Sequence, residues 1–255
     1  MASLIIFSLV IVFAYMTLWW GISILIKRND IADVAWGLGF ITLSFALFFY
    51  TGGFNTKTYF ALSMVSAWGI RLATHIALRH RGKPEDKRYQ IMSETWKYKR
   101  VQPYLSVFLS QGFFLLLVAT PIVLFFSDKQ PIFHWYNIIG ITIWAFGFLF
   151  EAISDYQLTQ FITNPINKGK IMKYGLWSYT RHPNYFGEIF LWWGFYLFTS
   201  FTPFWYLGII GPVTITFLIL GVSGIPMLEK HYEGNSEYDQ YKKTTSAFFP
   251  LPPKT

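Results

Sequence analysis

The stretch SLIIFSLVIVFAYMTLWWGISILI, Ser3 to Ile26, contains no charged side chain and runs straight into Lys27 and Arg28. A hydrocarbon core of about 30 Å is crossed by roughly 20 mostly apolar residues in helical form, so this stretch is long enough to span a bilayer. It has no preceding basic region and no small-residue cleavage pattern after it, and so reads as a retained span. Further apolar stretches follow at about 31–50, 58–78, 105–126, 137–158, 184–200 and 203–223. The expected fold is therefore an all-α integral membrane bundle of about seven transmembrane helices.

Composition agrees with that reading. Of 255 residues, 53% are hydrophobic and only 13% charged, too apolar a balance for a water-soluble domain of this size. The spans consume nearly the whole length, leaving no room for a separate soluble domain. Cysteine is absent, which removes disulfides, thiolate metal sites and a cysteine nucleophile from consideration. The net charge of +8 raises nucleic acid as a partner, but the basic residues punctuate apolar segments and form no basic face on a soluble module. No nucleic-acid partner is expected. Membrane lipids are the expected surroundings, in a bacterial inner membrane or one of endoplasmic-reticulum type.

The distribution of Lys and Arg predicts orientation. Loops one, three and five and the tail hold nearly all of them, from Lys27 and Arg28 to Lys242 and Lys243, whereas loops two, four and six hold only Lys57 and Lys129. Because basic loops stay cytoplasmic, the N-terminus is expected outside and the C-terminus inside. Segments six and seven, joined only by Phe201 and Thr202 with Pro203 opening the next helix, are expected to form a tight hairpin.

Five ionisable residues lie in or at the ends of these segments: Asp33, Arg71, Glu151, Asp155 and Glu188. Such residues usually face a partner or a polar cavity, because charge at the bilayer centre costs about 2.5–3.5 kcal/mol. Glu151 and Asp155, Arg71 and His75, and Asn184 and Glu188 are each four apart, which places each pair on one helix face. Three helices are thus expected to present polar faces to one cavity at the cytoplasmic side. The plainer expectation is that Asp33 caps its helix and Arg71 snorkels or pairs with Glu151.

Two loops carry the remaining signals. Loop three, His80 to Tyr104, contains Glu85-Asp86-Lys87-Arg88-Tyr89 and reads as a solvated basic loop or as a lid over a phosphate-bearing ligand. Loop five gathers Lys168, Lys170, Tyr174, Arg181, His182 and Asn184 just ahead of a helix start, where unpaired N–H groups and a positive dipole end suit an anion. Arg181 offers a planar fork for that anion. His182 has no second histidine at ligand spacing, so no metal is expected.

The runs Glu151-Ala-Ile-Ser-Asp155, Gly175-Leu-Trp-Ser-Tyr-Thr-Arg-His-Pro-Asn-Tyr-Phe-Gly-Glu188 and Tyr241-Lys-Lys-Thr-Thr-Ser-Ala-Phe-Phe-Pro250 resemble the steroid 5-alpha-reductase C-terminal superfamily. Asp33-Val-Ala-Trp-Gly37, Trp68-Gly-Ile-Arg71 and Glu85-Asp-Lys-Arg-Tyr89 resemble its DUF1295 branch more closely. The Arg-His-Pro-Asn-Tyr element is also similar to one in isoprenylcysteine carboxyl methyltransferases, which bind S-adenosylmethionine. The resemblance implies a single transmembrane domain over 1–255, with 1–130 as the substrate side and 137–255 as the cofactor-binding half. It implies an NAD(P)H-dependent reductase of a lipophilic substrate with an activated C=C bond; the alternative is an S-adenosylmethionine-dependent methyltransferase. Cofactor contacts are implied for Glu151, Asp155, Lys170, Arg181, His182, Asn184, Tyr185, Glu188, His231 and Tyr232. Asp33, Arg71 and Tyr89 are the candidates for carbonyl polarisation or proton delivery. Two positions depart from the reductases: Phe161-Ile162 stands where they carry a basic residue after the Ser-Asp motif, and no Gln-Glu pair lies on the second span.

Overall fold

The computed structural model describes residues 1–128 and 132–254. Lys129, one of the two outer-loop cations expected from the sequence, lies outside the described residues. Among the described residues the regular structure is all helical, with a lone bridge between Thr180 and Ser246 and no strand. Among the described residues, six helices are long and apolar enough to cross a membrane: Ala2–Ile26, Ile31–Thr51, Thr56–His80, Val101–Val118, Trp135–Thr163 and Trp205–His231. The chain is a multi-pass integral membrane protein.

The chain divides into two compact units, Met1–Phe133 with Thr199–Gly211, and His134–Phe198 with Pro212–Thr255. The first contains α1 (Ala2–Ile26), α2 (Ile31–Thr51), α3 (Thr56–His80), α4 (Lys87–Glu94), α5 (Val101–Val118) and α6 (Thr120–Phe125). Lys27 ends α1 in a left-handed conformation at φ 57°, and the Asn55 side chain caps α3 by accepting from the Thr58 N–H. α2 and α3 meet at two glycines: a Cβ on Gly37 would lie 2.8 Å from the Gly69 carbonyl oxygen, and one on Gly69 would lie 2.6 Å from that of Gly37. Close backbone approach through small residues is how helices associate when lipid gives no hydrophobic push between them. In the same unit Phe40, Leu43, Leu47, Trp68, Phe108 and Leu115 are fully buried. α1 buries only a stripe of Leu4, Ser8, Val12, Met16 and Ser23, while Ile6, Leu9, Val10, Phe13 and Leu18 face outward, a surface fit for acyl chains.

Three boundaries differ from the expected ones. The fourth apolar stretch is not one helix: Ala119 breaks it ahead of Pro121, which has no N–H to continue the helical ladder, and α6 starts afresh. Pro203 does not open a helix. It sits between Phe201 and Phe204, whose φ angles of 64° and 60° turn the chain sharply, so the expected two-residue link is a five-residue turn, 200–204. Lys57, expected in an outer loop, lies in the first turn of α3 and is buried, its Nζ 3.4 Å from the Ile132 carbonyl oxygen.

The second unit contains α7 (Trp135–Thr163), α8 (Pro183–Thr199), most of α9 (Trp205–His231) and α10 (Ser236–Thr244). α9 is a composite: a 3-10 turn, the α-helix Ile210–Phe217, a π turn over Leu218–Val222 and the α segment Ile225–His231. α8 has 17 residues and rises about 26 Å along its axis, less than the roughly 30 Å of a hydrocarbon core. α7 and α8 touch backbone to backbone through glycines seven apart on each helix. A Cβ on Gly147 would lie 2.6 Å from the Gly187 carbonyl oxygen, and one on Gly194 would lie 2.4 Å from the Trp144 N. The Asn137 side chain ties the far end by donating to the Phe198 carbonyl at 2.6 Å.

Candidate functional site

In the first unit the α1–α2 turn and the segment ahead of α4 are clamped together by charge. Asp30, fully buried, accepts from the Arg28 guanidinium at 2.7 Å and from the Asp86 N–H at 3.0 Å, with His80 Nδ1 3.6 Å away. Arg28 also donates to the Lys83 carbonyl at 2.8 Å, and Glu85 accepts from the Asn29 N–H. Burial alone would raise the Asp30 carboxyl, yet these donors outweigh it and hold its pKa below the ordinary value. Loop three is therefore no free basic loop. Asp86 caps α4 by accepting from the Arg88 N–H, which aims the first turn of α4 at Asp33 on the first turn of α2.

There the Tyr89 hydroxyl donates to Asp33 Oδ1 at 2.5 Å and Arg88 Nη2 donates to Asp33 Oδ2 at 2.8 Å. Gln111 Nε2, from α5, lies 3.3 Å from both Asp33 Oδ1 and the Tyr89 oxygen. Tyr89 is buried, and its burial and the adjacent Asp33 carboxylate push its pKa far up, so it stays a protonated donor. Two of the three residues expected to act on a carbonyl, Asp33 and Tyr89, are thus in direct contact. The third, Arg71, is half-buried on α3. Asp30 and Gln111 were not found from the sequence; Asp30 lies between spans, and a lone Gln in an apolar stretch carries no pattern.

In the second unit α7 and the first turns of α8 come together because a Cβ on Gly187 would lie 2.5 Å from the Glu151 N. Glu151 and Asp155 on α7 are buried, whereas Asn184, Tyr185 and Glu188 on α8 are half-buried. Gly175, at φ 62°, lies against Gln157, whose Oε1 accepts from the Leu176 N–H at 2.9 Å. Trp177 Nε1 donates to the Ser154 carbonyl at 3.1 Å, which fixes loop five onto α7.

The Arg181 fork, expected at an anion, is filled from within the chain. Its Nη2 and Nε donate to Glu229 Oε1 at 2.6 and 3.0 Å, and its Nη1 donates to the Thr245 carbonyl at 2.5 Å. Its backbone N–H donates to the Ser246 carbonyl at 2.9 Å. Glu229 also takes Lys242 at 3.3 Å and His182 Nε2 at 3.4 Å, so one carboxylate ties loop five, α9 and α10 together. His182 is buried, its pKa pushed down to about 4 by burial against the opposing pull of Glu229. Its Nδ1 has no hydrogen-bond partner among the described residues. Lys170 and His231 are exposed, and Tyr232 stacks on Tyr238 with ring centroids 4.6 Å apart. Glu229 gave no signal in the sequence, because neither spacing nor motif links it to Arg181.

These observations define a class: a multi-pass helical membrane protein in which buried and half-buried carboxylates are held against tyrosine, amide and basic side chains. The family model described as "Protein of unknown function (DUF1295)" matches residues 19–245, and the chain belongs to that family. It is also similar to "Uncharacterized protein C594.04c" of Schizosaccharomyces pombe, at 26% identity over 229 residues, covering 75% of this chain and 66% of the relative. The match thus spans just under two thirds of that relative's length. No solved structure matches the chain.

Proposed function

We propose that the protein is an NAD(P)H-dependent reductase of a lipophilic substrate carrying a C=C bond conjugated to a carbonyl. The observation that carries this reading is the contact between the Tyr89 hydroxyl and Asp33, with Arg88 on the other carboxylate oxygen. A buried hydroxyl that stays protonated, aimed by a fixed carboxylate, suits hydrogen bonding to a carbonyl oxygen that gains negative charge. Tyr89 would turn its hydrogen bond from Asp33 to the substrate oxygen, and Arg88 would keep Asp33 in place as the hydroxyl moves. A methyl transfer has no comparable need for a held acid.

The second unit offers a donor set that fits a dinucleotide. Glu151 and Asp155 suit ribose hydroxyls, Asn184 and Glu188 suit the carboxamide end, and the exposed Lys170 suits a phosphate. The orphaned Nδ1 of His182 is one buried polar atom that a ligand group would satisfy. Tyr185, His231 and Tyr232 complete the proposed set. Arg181 serves it as a positioning residue, since its guanidinium is committed to Glu229 and to Thr245. When bound, the cofactor supplies the hydride. The proposed orientation keeps the C-terminal end, with loop five, cytoplasmic.

The test is thermal unfolding of the purified full chain in detergent with NADPH, NADH or S-adenosylmethionine. A ligand at 100 times its dissociation constant stabilises the folded state by about 2.7 kcal/mol. NADPH or NADH should raise the midpoint. A rise with the methyl donor alone would overturn the reductase reading in favour of a methyltransferase.

A further inference from the structure

Gln111 stands on α5 with one amide edge committed and the other unmet. Its Nε2 faces Asp33 Oδ1 and the Tyr89 oxygen, each at 3.3 Å. That orientation is fixed by charge, because turning the amide over would set Oε1 against a carboxylate oxygen, acceptor against acceptor. The Tyr89 proton is already given to Asp33 at 2.5 Å, so the tyrosine oxygen accepts from Gln111. The Gln111 Oε1 is buried and has no hydrogen-bond partner among the described residues. Buried acceptors are rarely left unmet, and an unmet one beside a candidate acid calls for a donor from outside the chain.

Resting on the reductase reading above, we propose that Gln111 is a specificity-determining residue whose Oε1 takes a hydrogen bond from a hydroxyl on the substrate. The substrate class is then a hydroxylated lipophilic enone. Its carbonyl turns to Tyr89, and its hydroxyl, near that carbonyl, turns to Gln111. A site built to pair a substrate hydroxyl rejects the analogue that lacks the proton, because the acceptor is then buried without a partner.

Two probes decide it: a long-chain enone carrying a hydroxyl beside its carbonyl, and the same enone with that hydroxyl methylated. Dissociation constants are read from thermal shifts of the full chain in detergent, in wild type and in Gln111→Met, which has nearly the same length but no acceptor. The free hydroxyl should bind at least about tenfold tighter than the ether in wild type, and the ratio should fall to near one in Gln111→Met. The unliganded variant loses the Nε2 hydrogen bonds to Asp33 and Tyr89 along with the unmet acceptor, so its own midpoint is expected to shift and only the ratio of the two dissociation constants decides the assignment. Equal binding of the two probes in wild type overturns the assignment of Gln111 and points to a trapped water at Oε1, even if the variant does not fold. A ratio that survives in Gln111→Met also overturns it. Binding of neither probe overturns the enone-reductase reading itself.

Discussion

Arg181 and Glu229, 48 positions apart in the sequence, form a two-pronged ion pair in which Nη2 and Nε share one carboxylate oxygen at 2.6 and 3.0 Å. The arginine side chain is 8% exposed and the glutamate 19%, so water screens the pair little. Removing one partner leaves the other charge half-buried and frees the tail carbonyls of Thr245 and Lys242. Arg181→Ala should therefore destabilise the unliganded protein by about 3 kcal/mol. Arg181→Lys should recover part of that, keeping charge but not the fork. Thermal unfolding in detergent measures both, and an Arg181→Ala protein as stable as wild type would mean that the latch does not hold the tail.

His182 gives the second unit a pH dependence of definite sign. Its folded pKa lies near 4 against an ordinary 6.5, so between those values the unfolded chain binds the proton and the folded chain does not. Stability from neutral His182 is complete above about pH 6.5 and falls as pH drops toward 4, by about 3 kcal/mol in all. His182→Gln, which does not titrate, should flatten the midpoint-versus-pH curve in that window. A slope identical to that of wild type would assign the acid sensitivity to other groups.

The glycine contacts of α7 and α8 leave no room for a methyl group. Gly187→Ala would press a carbon to 2.5 Å from the Glu151 N and 2.6 Å from the Gly147 carbonyl oxygen, both backbone atoms that cannot swing away. A loss of about 3 kcal/mol is expected, with the α7–α8 contact loosened. Gly21→Ala, where nothing lies within 4 Å, is the control and should be neutral. Comparing the two variants by detergent unfolding checks the packing directly.

Tyr89→Phe removes one hydroxyl and leaves the Arg88–Asp33 pair in place. The reductase reading expects enone-dependent NADPH consumption to fall about 100-fold, with the thermal shift by NADPH unchanged. Full activity in this variant would remove Tyr89 from the chemistry.

The spans were legible because their cause is local. Ser3 to Ile26 is apolar over its whole length, and no arrangement of the remaining chain could make it soluble. Asp33, Arg71 and Glu151 were legible as misfits, since charged groups in or at the ends of apolar runs need partners. The partners themselves were not legible. Tyr89 meets Asp33 only because Asp30, Arg28 and Glu85 clamp the segment ahead of α4 to the α1–α2 turn. Arg181 looked like an anion fork from its loop alone, and it is the distant Glu229 that fills it.

By itself the sequence determined that this chain is helical, that it spans a membrane several times, and which charged residues of the spans call for partners. Those outcomes follow from hydropathy, which is a sum over neighbours along the chain. The tertiary structure alone decided who pairs with whom: Asp33 with Tyr89 and Arg88, Gln111 beside them, and Arg181 with Glu229. Hydrogen bonds and ion pairs act over about 3 Å, so they depend on where helices cross, and glycine positions such as Gly37, Gly69, Gly147 and Gly187 set those crossings.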